Sequence, residues 1–228
     1  MNIEILHRPS NTAAKVTLGP NETITSEAGA MIAMSGDLSI TTSTHQKNSG
    51  GGFLKALKRM FAGESFFLNH FEAGPKGGEL YLATSLQGDM QVFEGKGESL
   101  IIQSGAFVAC EQSISIEPGW QGFKNLFSGE SMFWLKSKGT GKFVLSSFGA
   151  IYPVKVDGAY IVDTGHIVAF DETLNFKVSK AAKGWIASFA SGEGLVCRFE
   201  GKGTVWCQSH NPSSFGWALS SMLRPRSS

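Results

Sequence analysis

Two short patterns recur three times along this chain of 228 residues, always in the same order, and that repetition restricts the fold more than any other feature. The first is a Gly followed by a small apolar run: Gly29-Ala30-Met31-Ile32-Ala33-Met34, Gly105-Ala106-Phe107-Val108-Ala109-Cys110 and Gly165-His166-Ile167-Val168-Ala169-Phe170. A polar residue precedes each Gly by two positions: Glu27, Gln103 and Asp163. Each run leads into an alternating segment ending at Leu38-Ser39-Ile40, Ile114-Ser115-Ile116 or Leu174-Asn175-Phe176, and a period of two marks a half-buried strand.

The second pattern is Gly63-Glu64-Ser65, Gly129-Glu130-Ser131 and Gly192-Glu193-Gly194. An apolar strand follows each one, then a Gly-rich turn (Gly74 to Gly78, Gly139-Thr140-Gly141, Gly201-Lys202-Gly203), then a second β-favouring run. Strand, glycine turn and strand read as a hairpin, because glycine supplies the positive φ that tight turns need.

The expectation is an all-β domain, with short helices, in which three degenerate repeats of about sixty to seventy residues close on one another with pseudo-threefold character. It spans 1–211, with copies at about 1–86, 87–148 and 149–211, and leaves 212–228 as a C-terminal tail. Ala33, Ala109 and Ala169, four residues after each Gly, are expected where copies approach too closely for a larger side chain. In the tail, Ser214 to Leu219 with Met222 and Leu223 is apolar enough to form a short helix that docks on its own domain or on a neighbour.

Hydrophobic residues make up 42% of the chain and 17 are Phe, which supplies a packed core and argues against disorder. The net charge of +1 lacks the basic excess that phosphate neutralisation requires, so no nucleic-acid partner is expected. No signal-peptide pattern opens the chain, and the longest charge-free apolar stretch, Phe143 to Val154, is too short to span a bilayer. Cys110, Cys197 and Cys207 fit no metal spacing and lie in apolar runs, so a reduced, cytoplasmic compartment is the simplest setting.

Departures from the repeat are where function is sought. The first copy alone carries Gly50-Gly51-Gly52 running into Phe53-Leu54-Lys55-Ala56-Leu57-Lys58-Arg59-Met60-Phe61, a short amphipathic helix pattern with a basic face. One reading is contact of Lys55, Lys58 and Arg59 with an anionic membrane surface or an acidic partner. The other is that the apolar face is core, since apolar residues occupy matching positions in all three copies.

Glu64, Glu130 and Glu193 hold equivalent positions and would make a cation or ligand site if they converged, but a Glu after Gly also serves a turn by accepting backbone N–H bonds. His166 stands where the other copies have Ala30 and Ala106, which makes it a candidate ligand contact or an ordinary half-buried imidazole. No His pair has metal-ligand spacing, no cofactor motif is present, and no Ser or Cys sits in a nucleophile motif, so no catalytic residue and no metal site are assigned. Lys138-Gly139-Thr140-Gly141-Lys142 lacks the first Gly and the final Ser or Thr of a phosphate loop.

Ser26-Glu27-Ala28-Gly29-Ala30-Met31, Gly50-Gly51-Gly52 running into Gly63-Glu64-Ser65, and Gln103-Ser104-Gly105-Ala106-Phe107 resemble the AIM24 family, formerly DUF124, over nearly the whole chain to about Asn211. The resemblance implies a TRAP-like, double-stranded β-helix type of fold, related to that of a tryptophan-sensing RNA-binding regulator. It brings no catalytic residues, and the regulator's RNA binding does not carry over, since fold does not imply function. Mitochondrial members of the family are linked to inner-membrane organisation. The expected function is a non-enzymatic binding or scaffold protein, homo-oligomeric and working at a membrane surface. A small-ligand or metal sensor is the alternative, and an enzyme with a site assembled across the fold is the third reading.

Overall fold

The computed structural model describes residues 1–43, 67–118, 134–180, 195–220 and 222–223, and these are almost wholly antiparallel β. The first third of the chain gives β1 (Asn2–Leu6), β2 (Ala13–Leu18), β3 (Thr23–Glu27), β4 (Met31–Met34), β5 (Leu38–Ser43), β6 (Leu68–Ala73) and β7 (Gly78–Leu82). The second gives β8 (Met90–Lys96), β9 (Leu100–Gln103), β10 (Phe107–Glu111), β11 (Ile114–Pro118) and β12 (Trp134–Ser146). The last gives β13 (Ile151–Asp163), β14 (Ile167–Asp171), β15 (Asn175–Lys180), β16 (Leu195–Gln208) and one helix, α1 (Pro212–Ser220).

The runs that follow Gly29, Gly105 and Gly165 become β4, β10 and β14, and they pair alike. Met31, Phe107 and Ile167 stand opposite Leu82, Leu145 and Cys207, while Ala33, Ala109 and Ala169 stand opposite Tyr81, Val144 and Trp206. In each ladder the register slips by one residue between these two positions, at Ile32, Val108 and Val168, as in a β-bulge. These pairs build a front half-sheet in each third of the chain. A back half-sheet forms from β3, β6 and β5, from β9, β11 and the first half of β12, and from β15 and the adjoining halves of β13 and β16.

Pairing between thirds fuses these halves. β10 joins β3 through Ala109–Ser26, Cys110–Thr25 and Glu111–Ile24, and β14 joins β9 through Ala169–Ile102, Phe170–Ile101 and Asp171–Leu100. Two composite sheets result, each made of one back half and the next front half.

The glycine turns are not hairpins, which corrects the sequence expectation. β12 runs unbroken through Gly139-Thr140-Gly141 and β16 through Gly201-Lys202-Gly203, while β6 and β7, on either side of Gly74 to Gly77, pair with other strands. The reason is that both edges of each half are already taken: β12 holds β9 and β11 with its first half, then β8 and β10 with its second. Gly139 marks the crossing, with φ 122°, and a Cβ there would lie 2.2 Å from the Ser113 carbonyl oxygen. Only glycine fits both conditions.

Alternation along the strands buries both faces of each composite sheet. In β12, Val144 packs in a cluster with Val16, Leu80, Leu82 and Phe71, while Phe143 and Leu145 turn the other way toward Phe107, Ile114 and Val168. In the second composite sheet Ile102 and Leu135 face that middle cluster, while Ile101, Trp134 and Val205 face a third, built on Phe170, Val156 and Phe199. The architecture is therefore a stack of sheets with three apolar layers between them. Ala109 and Ala169 are fully buried at the junctions, as expected, but Ala33 is exposed, because β4 is the last strand of its sheet among the described residues.

The tail does form a helix. Asn211 caps it, its side-chain oxygen accepting from the backbone N–H of Ser213 at 2.9 Å, with Pro212 at the first position where a missing N–H costs nothing. Phe215 docks edge-to-face on Phe148, with ring centroids 5.2 Å apart.

Candidate functional site

The repeat geometry brings strand ends together. β3 ends at Glu27, β9 at Gln103, β12 at Ser146 and β16 at Gln208, and these residues line one cavity of about 280 Å³. Thr84 to Leu86, Ser147 and Phe148 complete the walls, and Pro212 at the start of α1 forms part of the rim.

Most of its polar groups are committed. The Gln208 amide donates to the Gly165 carbonyl at 2.9 Å and accepts from the Phe148 N–H at 2.9 Å, which ties the third copy to the chain leaving the second. The Ser147 hydroxyl donates to the Gly149 carbonyl at 2.8 Å, and Thr84 donates to the Leu86 carbonyl at 3.1 Å.

Glu27 differs. Burial pushes its carboxyl up to about 7, well above the ordinary carboxylate range. Asp163, which holds the matching place in the third copy, instead accepts the Gly165 N–H at 2.8 Å and lies outside the cavity walls.

This set can recognise a small polar molecule, since it offers a carboxyl group that donates when protonated and the Gln103 amide. It does not present a nucleophile with an adjacent base. Burial raises the thiols of Cys197 and Cys207 to about 12 and about 11, so neither is a thiolate near neutral pH.

His166 is half-buried behind the cavity wall, its Nδ1 donating to the Gln208 carbonyl at 2.8 Å. It holds the end of β16 rather than lining the space. Among the described residues no three His, Cys, Asp or Glu side chains are grouped as metal ligands. The remaining sequence candidates, Gly50, Gly51, Gly52, Lys55, Lys58, Arg59, Glu64, Glu130 and Glu193, lie outside the described residues. Glu27 was missed as a site residue, although its signal was present: the polar position two before each Gly reads as a mark of the repeat, and only the surroundings of the carboxyl, desolvated at Glu27 and bonded to a backbone N–H at Asp163, set it apart. No described helix is long and apolar enough to cross a membrane.

A family model described as mitochondrial biogenesis AIM24 matches residues 3–210. An uncharacterised protein of Streptococcus pyogenes serotype M6 is 29% identical over 202 residues, covering 86% of this chain and 81% of that protein. The X-ray crystal structure of a Streptococcus pyogenes protein superposes with a TM-score of 0.79 at 25% identity, covering 97% of this chain and 99% of the other.

Proposed function

Because the chain belongs to the AIM24 family across residues 3–210, we propose that it is a non-enzymatic binding protein, a scaffold that works at a membrane surface. One observation carries this reading: apolar side chains at and beyond α1 stand in water although the domain has ample core to absorb them. Trp217 is 71% exposed and Met222 81%, with Leu219 and Leu223 exposed beside them. Trp and Leu beside basic residues suit the boundary between headgroups and acyl chains, and Arg224 and Arg226 follow directly in the sequence. Lys55, Lys58 and Arg59 add a second basic group in the sequence.

Flotation of the full chain with vesicles containing anionic phospholipid tests this. Wild-type protein floats, Trp217→Ser with Leu219→Ser weakens the association, and high salt weakens it through the basic residues. Protein that stays at the bottom of the gradient overturns the membrane reading.

The Glu27 cavity favours a second reading, a sensor for a small polar molecule. Its support is a half-buried carboxyl group on the cavity wall, pushed up to about 7 by burial. Native mass spectrometry of freshly purified protein would show a retained small molecule that Glu27→Ala loses; an empty wild-type protein counts against it.

A further inference from the structure

The back half-sheet of the first third joins the front half-sheet of the second, and the back of the second joins the front of the third. The same step applied once more would join the back of the third, at β13, to the front of the first, at β4. Among the described residues that junction is not made: β4 pairs only with β7, and the C-terminal half of β13 only with β16. We propose that it is made between molecules, β4 of one copy pairing antiparallel with the C-terminal half of β13 of a second copy.

The register follows from the two junctions already formed. Ala109–Ser26 and Ala169–Ile102 correspond to Ala33–Val162, Cys110–Thr25 and Phe170–Ile101 to Met34–Ile161, and Glu111–Ile24 and Asp171–Leu100 to Ser35–Tyr160.

Exposure singles out these same residues. Val108 and Val168 are 0% exposed but Ile32 is 57%; Cys110 and Phe170 are 0% but Met34 is 37%. On the facing edge Ile101 is 0% and Thr25 6%, whereas Ile161 is 57% and Tyr160 47%. Ile32, Met34 and Ile161 are thus left in water where Val108, Cys110 and Ile101 are sealed, while Val162, like Ile102, stays buried on the inner face. A single missing partner accounts for both edges.

That partner is a second copy, because the chain cannot reach its own other end. Both composite sheets are buried on both faces. Among the described residues the first apolar layer contains none beyond Val144, and the third contains none before Ile101. The two unpaired half-sheets therefore lie at opposite ends of the stack. A head-to-tail contact of this kind uses two different surfaces, so it repeats until a ring closes or a fibre grows. It also removes the hazard of two open strand edges, each with unpaired backbone N–H and C=O groups.

Two experiments on the full chain test the proposal. In sedimentation across the micromolar range, wild-type protein associates, while Met34→Lys and Ile161→Lys each lower the assembly state with an unchanged circular dichroism spectrum, since both positions are exposed in the single chain. Next, copies carrying Ala33→Cys with Ile161→Lys are mixed with copies carrying Val162→Cys with Met34→Lys. The first copy keeps a sound β4 edge and the second a sound β13 edge, so oxidation yields a disulfide-linked dimer that stops at two. The three native thiols are buried and do not compete. A monomeric wild-type chain, assembly unchanged by either lysine, or no linked dimer in the mixture overturns the proposal. Vesicle binding is read separately, so either idea can fail without the other.

Discussion

Ala109 of β10 stands directly opposite Ser26 of β3, across the junction of two repeats, and neither residue exposes any surface. The pair lies where a composite sheet is also covered by another sheet, so there is no slack in the strand direction or above it. Ala109→Leu should destabilise the fold by about 1–3 kcal/mol through overpacking. Ala33→Leu, the matching change at the exposed edge, should cost far less in dilute protein. Urea titration of both variants measures the contrast, and equal losses would contradict the packing described for the two sites.

Glu27 makes stability depend on pH in a defined direction. Its carboxyl is raised from the ordinary value of 4.5 to about 7 in the fold, so between those values the folded chain holds a proton that the unfolded chain has released. Its contribution is therefore complete below about 4.5 and is lost as pH rises through about 7. Glu27→Gln should flatten that part of the profile and be more stable than wild type on its alkaline side. Melting temperatures recorded on both sides of neutrality decide it.

Arg8 forks onto Asp89 with two hydrogen bonds, Nε to Oδ1 at 2.9 Å and Nη2 to Oδ2 at 2.7 Å, and the carboxylate is nearly buried. The same carboxylate accepts the Met90 N–H at 2.9 Å, so it fixes the entry to β8 as well as the chain after β1. Asp89→Ala should cost about 1–3 kcal/mol, because a hydrogen-bonded charge is removed from a buried place. Arg8→Met should cost less, since the guanidinium is half in water. A double-mutant cycle by chemical denaturation separates the pairwise part.

Phe215 holds α1 to the domain through Phe148, which also touches the His210 ring at 5.1 Å. No residue of the helix is buried, and that ring contact ties it to the domain. Phe215→Ala should cost only about 0.5–1.5 kcal/mol. Limited proteolysis is the sharper readout: cleavage near Pro212 should become much faster while the β domain stays intact. An unchanged rate would mean that the helix is held elsewhere.

Much of this was legible in the sequence because it depends on local chemistry repeated three times. The alternation after Gly29, Gly105 and Gly165 gave strands, the three cysteines in apolar runs gave buried thiols, and the apolar tail gave a helix. The hairpins failed for a physical reason. A glycine between two strands fixes a bend, but whether the strands fold back on each other depends on which edges neighbours have already occupied. At Gly139 they were occupied, and one strand passed through.

The strands after Gly29, Gly105 and Gly165 and the all-β class were thus set by the sequence itself, since a period of two acts within a few residues. What Glu27 and Ile32 do was decided by tertiary structure alone. Each holds the same place in its copy as a residue elsewhere in the chain, so sequence treats them as equivalents. Burial raises the acid at Glu27, where Asp163 in the matching place is held by a backbone N–H. Position in the stack leaves Ile32 in water, where Val108 is sealed beneath the next sheet.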